Sequence, residues 1–209
     1  MRSRVENSAA ALRPATSPRG RIRIIGGQWK RTPIAVADAP GLRPTPDRVR
    51  ETAFNWLMHR HGGTLAGLTA LDLFAGTGAM GFEAASRGAA RVILVEPDRA
   101  ALAALTALKD KLHAASIEIR AADALATAHA LIRNQERFDL IFLDPPYRSD
   151  WMARLLPLAA SLSSATASIY AEAESVLDDA ALAACGLEVL RKDKAGEVFY
   201  HLLRHKNEQ

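Results

Sequence analysis

Residues 72–81 read DLFAGTGAMG, and this stretch decides the fold. A strand is predicted over 70–74 and a helix over 79–87, and the segment GTGAMG between them matches G-x-G-x-x-G, in which glycines allow a tight turn and a close approach of a ligand to the backbone. Glu96, 20 residues beyond the first glycine, ends the next predicted strand, where a carboxylate can accept a hydrogen bond from a ribose hydroxyl. The turn predicts a site for a nucleoside-bearing ligand. The alternative is a glycine turn that serves only the packing of strand against helix.

Outward from this turn, apolar runs alternate with alanine-rich segments to the end of the chain. Strands are predicted at residues 70–74, 92–96, 117–120, 138–143, 168–171, 187–191 and 198–203. Helices are predicted at residues 79–87, 99–113, 124–133, 151–161 and 178–184. Repeated strand–helix units imply a mostly parallel sheet covered on both faces. Residues 192–197 are predicted to be a short turn, so the last strand must be antiparallel. The predicted fold class is α/β, with a seven-stranded Rossmann-like sheet.

The chain before this alternation has a different character. Residues 1–20 lack periodicity and are expected to form a flexible tail. Two short extended runs around a glycine pair predict a β-hairpin, and a helix capped by Thr45 and stopped by a second glycine pair follows it. We therefore expect a tail at 1–20, a basic extension of hairpin and helix at 21–63, and the main domain at 64–209.

Charge separates these parts further. The 209 residues carry 27 Lys and Arg against 23 Asp and Glu, a net charge of +4. Residues 1–50 hold 11 basic and 3 acidic side chains, a net +8, and the remaining 159 hold 16 and 20, a net −4. A basic arm on an acidic body favours phosphate binding at one end of the molecule. The alternative is an arm that only aids solubility.

Composition limits the class of protein. The mean hydropathy is −0.04, and no apolar run approaches the roughly 18 residues that a membrane span needs, so a soluble protein is expected. The single cysteine, Cys185, excludes an internal disulfide and favours a reducing compartment, which predicts a cytoplasmic location. The histidines do not pair with cysteine or aspartate at metal-binding spacing, so no metal is expected. Nothing in the sequence demands a dimer, and a monomer is expected.

Two nucleoside-bearing cofactors compete for the glycine turn. NAD needs backbone amides directed at a pyrophosphate, whereas a sulfonium carrying an amino acid tail needs an acceptor for its ammonium group. Asp72 supplies a carboxylate at the base of the loop, and D-x-F-A-G-[ST]-G resembles the first motif of class I methyltransferases, which use S-adenosylmethionine (SAM), more closely than it resembles dehydrogenase fingerprints. Asp123 stands where that class places an acidic residue facing the adenine amino group. We therefore expect SAM as the cofactor.

The stretch Asp144-Pro145-Pro146-Tyr147 directly follows the apolar strand predicted over 138–143. The prolines fix the loop, so the Asp144 side chain and the Pro145 carbonyl are expected to be rigid acceptors at the carboxyl edge of the sheet. Two acceptors that bind both N–H groups of an exocyclic amino group direct its lone pair and stabilise the positive charge that develops on nitrogen. Tyr147 is expected to stack on a base drawn out of its helix or loop. The alternatives are a rigid turn with an incidental carboxylate and a rim aromatic that only packs.

These motifs resemble those of a known family. D/N-P-P-Y/F marks amino-methyltransferases that act on adenine, cytosine or guanine, or on a glutamine amide. The sequences RIIGGQWK at 23–30, GLRPTPDRVRET at 41–52 and AGEV at 195–198 narrow the resemblance to the bacterial RsmD family of 16S ribosomal RNA (guanine-N2)-methyltransferases. The resemblance extends from about residue 21 to the last strand. It implies that one guanine of the small-subunit RNA is methylated on N2, in an assembled or assembling ribosomal particle.

The expected site residues form three groups. The catalytic group is Asp144, Pro145, Pro146 and Tyr147. The cofactor group is Asp72, Phe74, Ala75, Gly76, Thr77, Gly78, Glu96, Pro97, Asp123 and Ala124, to which the resemblance adds Arg43 and Thr45, beside Pro44. The RNA-binding group is Arg21, Arg23, Lys30, Arg31, Arg48 and Arg50.

Other functions fit the sequence less well. Cys185 lies late in the chain, where a small buried residue is expected rather than the nucleophile of a carbon methyltransferase. Glutamine methylation usually goes with asparagine in place of Asp144 and with a larger helical N-terminal domain. DNA adenine methylation normally needs a target-recognition domain, for which 209 residues leave little room. Another base amino group, such as adenine in RNA or DNA, or a protein glutamine amide remains the alternative to guanine. A nucleic-acid-binding module with a vestigial cofactor site is disfavoured by the intact motifs.

Overall fold

The computed structural model describes residues 22–36, 46–146 and 150–206. The predicted tail over 1–20 lies outside the described residues, as do Arg21, Arg43, Pro44, Thr45 and Tyr147.

The described elements follow the predicted alternation of strands and helices. The strands are β1 (Ile22–Arg23), β2 (Pro33–Ile34), β3 (Thr69–Asp72), β4 (Arg91–Val95), β5 (Ile117–Arg120), β6 (Phe138–Leu143), β7 (Ser163–Ala173), β8 (Leu187–Ala195) and β9 (Val198–His205). The helices are α1 (Asp47–Arg60), α2 (Ala79–Ser86), α3 (Arg99–Leu112), α4 (Ala124–Arg133), α5 (Trp151–Leu162) and α6 (Asp179–Ala184). The predicted hairpin is confirmed as the antiparallel pair β1–β2.

The main sheet has seven strands in the order β5-β4-β3-β6-β7-β9-β8. The pairs from β5 to β7 are parallel, and β9 is antiparallel to both of its neighbours. This confirms the predicted mostly parallel sheet with an antiparallel last strand. The chain proceeds from β3 outward through β4 to β5 and then returns to β6, so the strand order reverses between β3 and β6. Open α/β sheets bind ligands at such a reversal, outside the carboxyl ends of the strands.

The strand β7 is longer than the predicted 168–171. It starts at Ser163 opposite Phe138, and the ladder shifts register before Leu140 pairs with Ser168. Residues 163–167 are small or polar, so they lack the apolar signal of a buried strand. At its other end β7 includes Glu172, which the predicted boundary leaves out.

The predicted turn over residues 192–197 is wrong. The strand β8 continues to Ala195, which pairs with Val198, so only Gly196 and Glu197 form the turn. Gly196 has a φ of +63°, and such turns favour glycine at that position. Residues 191–194 are charged and exposed because β8 lies at the edge of the sheet, where hydropathy does not indicate a strand.

The helices cover both faces of the sheet. On one face, α1, α2, α3 and the β1–β2 hairpin share a core with the sheet, and on the other face α4, α5 and α6 pack against alternate residues of the same strands. Ile24, Phe54 and Leu57 of the N-terminal extension are fully buried in the first core. The extension is therefore part of the main hydrophobic core. Helix α1 begins at Asp47 with Pro46 at the preceding position, and Thr45, the expected cap, lies outside the described residues.

No helix within the described ranges is both long and apolar enough to cross a membrane.

Candidate active site

The glycine turn connects β3 to α2 at the reversal of strand order. Gly76 and Gly78 have φ angles of +51° and +76°, in the left-handed region that favours glycine. A Cβ on Gly78 would also stand 2.5 Å from the side chain of Leu105 and 2.7 Å from that of Phe82. Glycine is therefore required at position 78 by the backbone and by packing together.

Glu96 fixes this turn from the end of β4. Its carboxylate accepts hydrogen bonds from the Gly76 amide at 2.8 Å and from the Asp98 amide at 2.9 Å. The Glu96 side chain is buried, and the following residue, Pro97, is exposed. A carboxylate has about four acceptor positions, so these two bonds leave the group able to accept further hydrogen bonds. Its place beside the turn fits the predicted ribose contact.

Asp72 lies at the base of the turn and is buried. It accepts a hydrogen bond from the Phe74 amide at 3.3 Å. Burial raises the pKa of Asp72 to about 7, and the negative charge of Glu96 contributes to the rise while the Phe74 amide opposes it. A cationic ammonium group beside Asp72 would favour the ionised carboxylate. The buried acid therefore fits the amino acid tail of SAM better than it fits a pyrophosphate.

The remaining cofactor candidates line the same edge. Asp123, exposed at the end of β5, caps α4 by accepting a hydrogen bond from the Ala126 amide at 2.9 Å. Phe74 makes an edge-on contact with Trp151, with ring centroids 5.3 Å apart. The remaining members of the group also lie on this edge, namely the buried Ala75 and Ala124 and the half-buried Thr77.

The loop after β6 stands on the other side of the reversal. Phe142 pairs with Asp72 across the β3–β6 ladder, so Asp144 follows at the same edge as the glycine turn. Asp144 is half-buried, Pro145 is buried and Pro146 is exposed. The fold thus brings the two predicted motifs to one crevice, although 72 residues separate their two aspartates in sequence.

Sequence reasoning missed two side chains next to Asp144. The Tyr170 hydroxyl donates a hydrogen bond to a Glu172 carboxylate oxygen at 2.8 Å, and both side chains are buried. Burial raises the pKa of Tyr170 well above its usual value, and the negative charges of Glu172 and Asp144 raise it further. Tyr170 lies within the predicted strand but in no motif, and Glu172 lies one residue beyond the predicted end of that strand.

Aromatic rings connect this part of the site to helix α1. Phe54 contacts Phe142, Tyr170 lies between Phe142 and Tyr200, and Trp56 stacks on Tyr200 at 5.4 Å. The Tyr200 hydroxyl donates a hydrogen bond to Asp193 on β8 at 2.8 Å. These contacts pack α1 against β6, β7 and β9, the strands next to Asp144.

The predicted RNA-binding residues fall into two kinds. Arg23, Lys30, Arg31 and Arg48 are exposed, and Arg23 lies 3.4 Å from Asp47. Arg50 is fully buried, which contradicts its predicted contact with phosphate.

Arg50 instead holds the N-terminal extension together. It donates hydrogen bonds to the Arg23 carbonyl at 2.9 Å and to Asp47 at 2.6 Å, and it lies 4.0 Å from Glu83. The sequence does contain a signal for this role, because Arg50 shares the helical i, i+3, i+4, i+7 stripe with Ala53, Phe54 and Leu57.

A second set of missed residues attaches the hairpin to helix α2. Buried Glu83 accepts hydrogen bonds from the amides of Ile25 at 2.6 Å and Gly26 at 2.8 Å. The Ser86 hydroxyl donates to the Gly26 carbonyl at 2.6 Å and accepts from the Trp29 amide at 2.9 Å. Since α2 begins at the glycine turn, the basic hairpin is bonded directly to the helix that follows this turn.

Among the residues that the structure describes, no group of three or more His, Cys, Asp or Glu side chains is arranged to hold a metal ion.

Sequence comparisons agree with this architecture. Residues 22–204 match the family model described as conserved hypothetical protein 95. The chain is 36% identical over 196 residues to the ribosomal RNA small subunit methyltransferase D of Escherichia coli K12, which covers 93% of this chain and 95% of that protein. It is 33% identical over 194 residues to the protein of the same name from Haemophilus influenzae, which covers 90% of this chain and 95% of that protein.

Solved structures extend the match to three dimensions. The yhhF protein of Escherichia coli superimposes with a TM-score of 0.73 at 32% identity and covers 89% of this chain and 98% of its own. At 17% identity, the SMU.776 protein complexed with SAH has the same fold, with a TM-score of 0.62 over 78% of this chain and 50% of its own. The chain therefore belongs to the RsmD family of class I SAM-dependent methyltransferases.

Proposed function

We propose that this protein transfers a methyl group from SAM to the exocyclic N2 amino group of one guanine in 16S ribosomal RNA. The names of the Escherichia coli and Haemophilus influenzae relatives support a ribosomal RNA of the small subunit as the substrate. The observation that carries the proposal is the placement of Asp144 and the two prolines beside Asp72, at the reversal of strand order. We further propose that the enzyme acts as a monomer in the cytoplasm, on an assembled or assembling small-subunit particle.

The residues of the glycine turn are proposed to hold the cofactor. Asp72 binds the ammonium group, Glu96 accepts from the ribose hydroxyls, and Asp123 faces the adenine amino group. The rest of this site is lined by Phe74, Ala75, Gly76, Thr77, Gly78, Pro97 and Ala124, with Arg43 and Thr45 close by. When bound, SAM supplies a methyl group already activated by its sulfonium charge, so the chain needs to supply position rather than a strong general base.

The loop after β6 is proposed to hold the target. Asp144 and the Pro145 carbonyl accept the two N–H bonds of the amino group, which directs the nitrogen lone pair away from the ring and toward the cofactor site. The same two oxygens stabilise the positive charge that develops on nitrogen during transfer. Pro146 keeps the loop rigid, and Tyr147 stacks on the extruded base.

The basic extension is proposed to bind the RNA backbone. Arg23, Lys30, Arg31 and Arg48 present exposed positive charge on the hairpin and on the first turn of α1, and Arg21 is proposed to act with them. Because the hairpin is bonded to α2, phosphate contacts there would orient the RNA relative to the cofactor. In this proposal residues 21–63 form the RNA-binding extension and 64–209 the methyltransferase domain.

The decisive experiment identifies the product. Small-subunit particles and free 16S RNA from a strain that lacks this protein are incubated with the purified enzyme and labelled SAM, and the RNA is then digested to nucleosides. The proposal expects labelled N2-methylguanosine at one mapped position. Labelled N6-methyladenosine, or label only in a protein, would contradict it, and comparison of the two substrates tests the proposed preference for the particle.

A further inference from the structure

We propose that Glu172 selects guanine by accepting a hydrogen bond from N1–H of the target base. The inference rests on the proposed function, because it assigns a residue that distinguishes guanine from other bases within that same site. Asp144 and Pro145 hold the amino group that reacts, and Glu172 binds the adjacent ring nitrogen that does not react.

Strand register puts Glu172 beside Asp144. In the parallel β6–β7 ladder, Phe142 pairs with Tyr170 and Leu143 pairs with Ala171, so the next step of the register pairs Asp144 with Glu172. Neighbouring strands are about 4.8 Å apart, and residues two apart on a strand share a face. The carboxylate of Asp144 also contributes to the raised pKa of Tyr170, the residue that hydrogen-bonds Glu172, which agrees with a short separation.

Glu172 is held in a fixed orientation. Its relative exposure is 4% and that of Tyr170 is 1%, and the Tyr170 hydroxyl donates to one carboxylate oxygen at 2.8 Å. The Tyr170 ring is packed between those of Phe142 and Tyr200 at 6.4 Å from each. The tyrosine hydroxyl and its packed ring therefore fix the direction of the Glu172 carboxylate.

Two neighbouring carboxylates match the edge of guanine. Guanine presents the N2 amino group and N1–H as adjacent donors, whereas the unprotonated N1 of adenine or 2-aminopurine is an acceptor. A desolvated carboxylate gains a charge-assisted hydrogen bond from N1–H, but it is left opposite a lone pair when N1 carries no proton. Sites built around a substrate N–H reject analogues that lack it by about 10⁴-fold. Glu172 thereby supplies a selectivity that two acceptors on the amino group alone do not supply.

The test compares two bases at the position mapped above. Small-subunit particles are reconstituted with 16S RNA that carries, at that position, either guanine or 2-aminopurine, which keeps the 2-amino group but lacks N1–H. Both kinds of particle are methylated by wild type, Glu172→Gln and Glu174→Gln. Glu174 is exposed and two residues further along, so it is a control for loss of charge. We expect Glu172→Gln to lower the ratio of kcat/KM for guanine over 2-aminopurine by about 10²-fold or more, while Glu174→Gln leaves the ratio unchanged.

A second variant covers the case in which Glu172→Gln does not fold, as judged by its binding of S-adenosylhomocysteine. Tyr170→Phe keeps the carboxylate but removes the donor that orients it, and we expect the ratio to fall by about tenfold. A wild-type ratio in a folded Glu172→Gln, or in Tyr170→Phe when the first variant is unfolded, overturns the inference. Failure of the wild type to methylate guanine at all would contradict the proposed function instead, so the two failures are distinguishable.

Discussion

The carboxyl edge of the sheet has two halves that are built in different ways. The half that we propose to bind the cofactor, here called the cofactor half, lies at the ends of β3, β4 and β5. In it Glu96 accepts a hydrogen bond from the Gly76 amide, only 20 residues away. The half that we propose to bind the target base, here called the target half, lies at the ends of β6 and β7 next to β9, and its residues Asp144, Glu172 and Tyr200 are each 28 residues from the next. The first half is encoded as a local motif. The second is assembled by strand pairing between distant segments.

The largest expected effect is that of Asp144→Ala, which should impair the target half without affecting the cofactor half. We expect Asp144→Ala to lower kcat for RNA methylation by about 10²–10³-fold, because one of the two acceptors on the amino group is removed. The affinity for S-adenosylhomocysteine, measured by calorimetry, should remain that of wild type.

Asp150→Ala is the matched control, since Asp150 is exposed just before α5 and makes no side-chain cap. Wild-type turnover in Asp144→Ala would contradict the role of Asp144 as an acceptor.

The contrast between the two halves explains which site residues could be predicted from the sequence. The glycine turn, Glu96 and Asp144 could be predicted because each lies within a short pattern at a strand end. Glu172 could not, because its role depends on the register of β7 against β6 and on an irregularity early in that ladder. The burial of Arg50 could be predicted from its place on the apolar face of α1. The net positive charge of residues 1–50 instead indicated a phosphate contact. The roles of Glu83 and Ser86 depend on the position of the hairpin against α2, and no local sequence pattern indicates that position.

The attachment of the hairpin to α2 provides the second prediction. Gly27 has a φ of +74°, and a Cβ there would overlap the backbone carbonyl of Ser86. Since backbone atoms cannot move aside cheaply, we expect Gly27→Ala to lower the free energy of unfolding by about 3 kcal/mol. RNA methylation should fall more than cofactor affinity, because the basic hairpin is displaced first. Denaturant unfolding measures the stability, the methylation assay measures activity on RNA, and calorimetry with S-adenosylhomocysteine measures cofactor affinity.

Gly62 offers a control with a similar backbone angle but no atom near the position of a Cβ. Its φ is +67°, and a Cβ would meet nothing within 4 Å. Gly62→Ala should therefore cost only the left-handed backbone penalty of about 1 kcal/mol. Equal losses in the two variants would show that contact with Ser86 does not hold the hairpin.

The third prediction concerns pH and the cofactor half alone. With a pKa of about 7, Asp72 is largely protonated below neutral pH in the free protein, and it must lose that proton to bind an ammonium group as a carboxylate. The Kd for S-adenosylhomocysteine should rise by about tenfold per pH unit below pH 7 and level off above it. Asp72→Asn should bind more weakly and lose this dependence. A wild-type affinity that is flat from about pH 5.5 to pH 7.5 would contradict the assignment.

The same group affects stability with a defined sign. The pKa of Asp72 is higher in the folded protein than its ordinary value of 3.8, so the folded state binds more protons between these two values. Its contribution to the free energy of unfolding is therefore present at low pH and is lost as the pH rises through about 7. Asp72→Asn should remove this dependence, and unfolding curves of the two proteins without cofactor should diverge as the pH increases.

The smallest expected effect tests whether RNA binding belongs to the hairpin. Lys30 and Arg31 are exposed at its turn, and Lys30→Ala with Arg31→Ala removes two charges that the proposal assigns to phosphate contacts. The slope of log K against log salt concentration for 16S RNA should fall by about 1–2, with an unchanged affinity for S-adenosylhomocysteine. Lys109→Ala with Lys111→Ala removes the same charge from the last turn of α3, outside the hairpin, and should leave the slope unchanged. Equal slopes in the two double variants would mean that general surface charge, rather than the hairpin on α2, attracts the RNA.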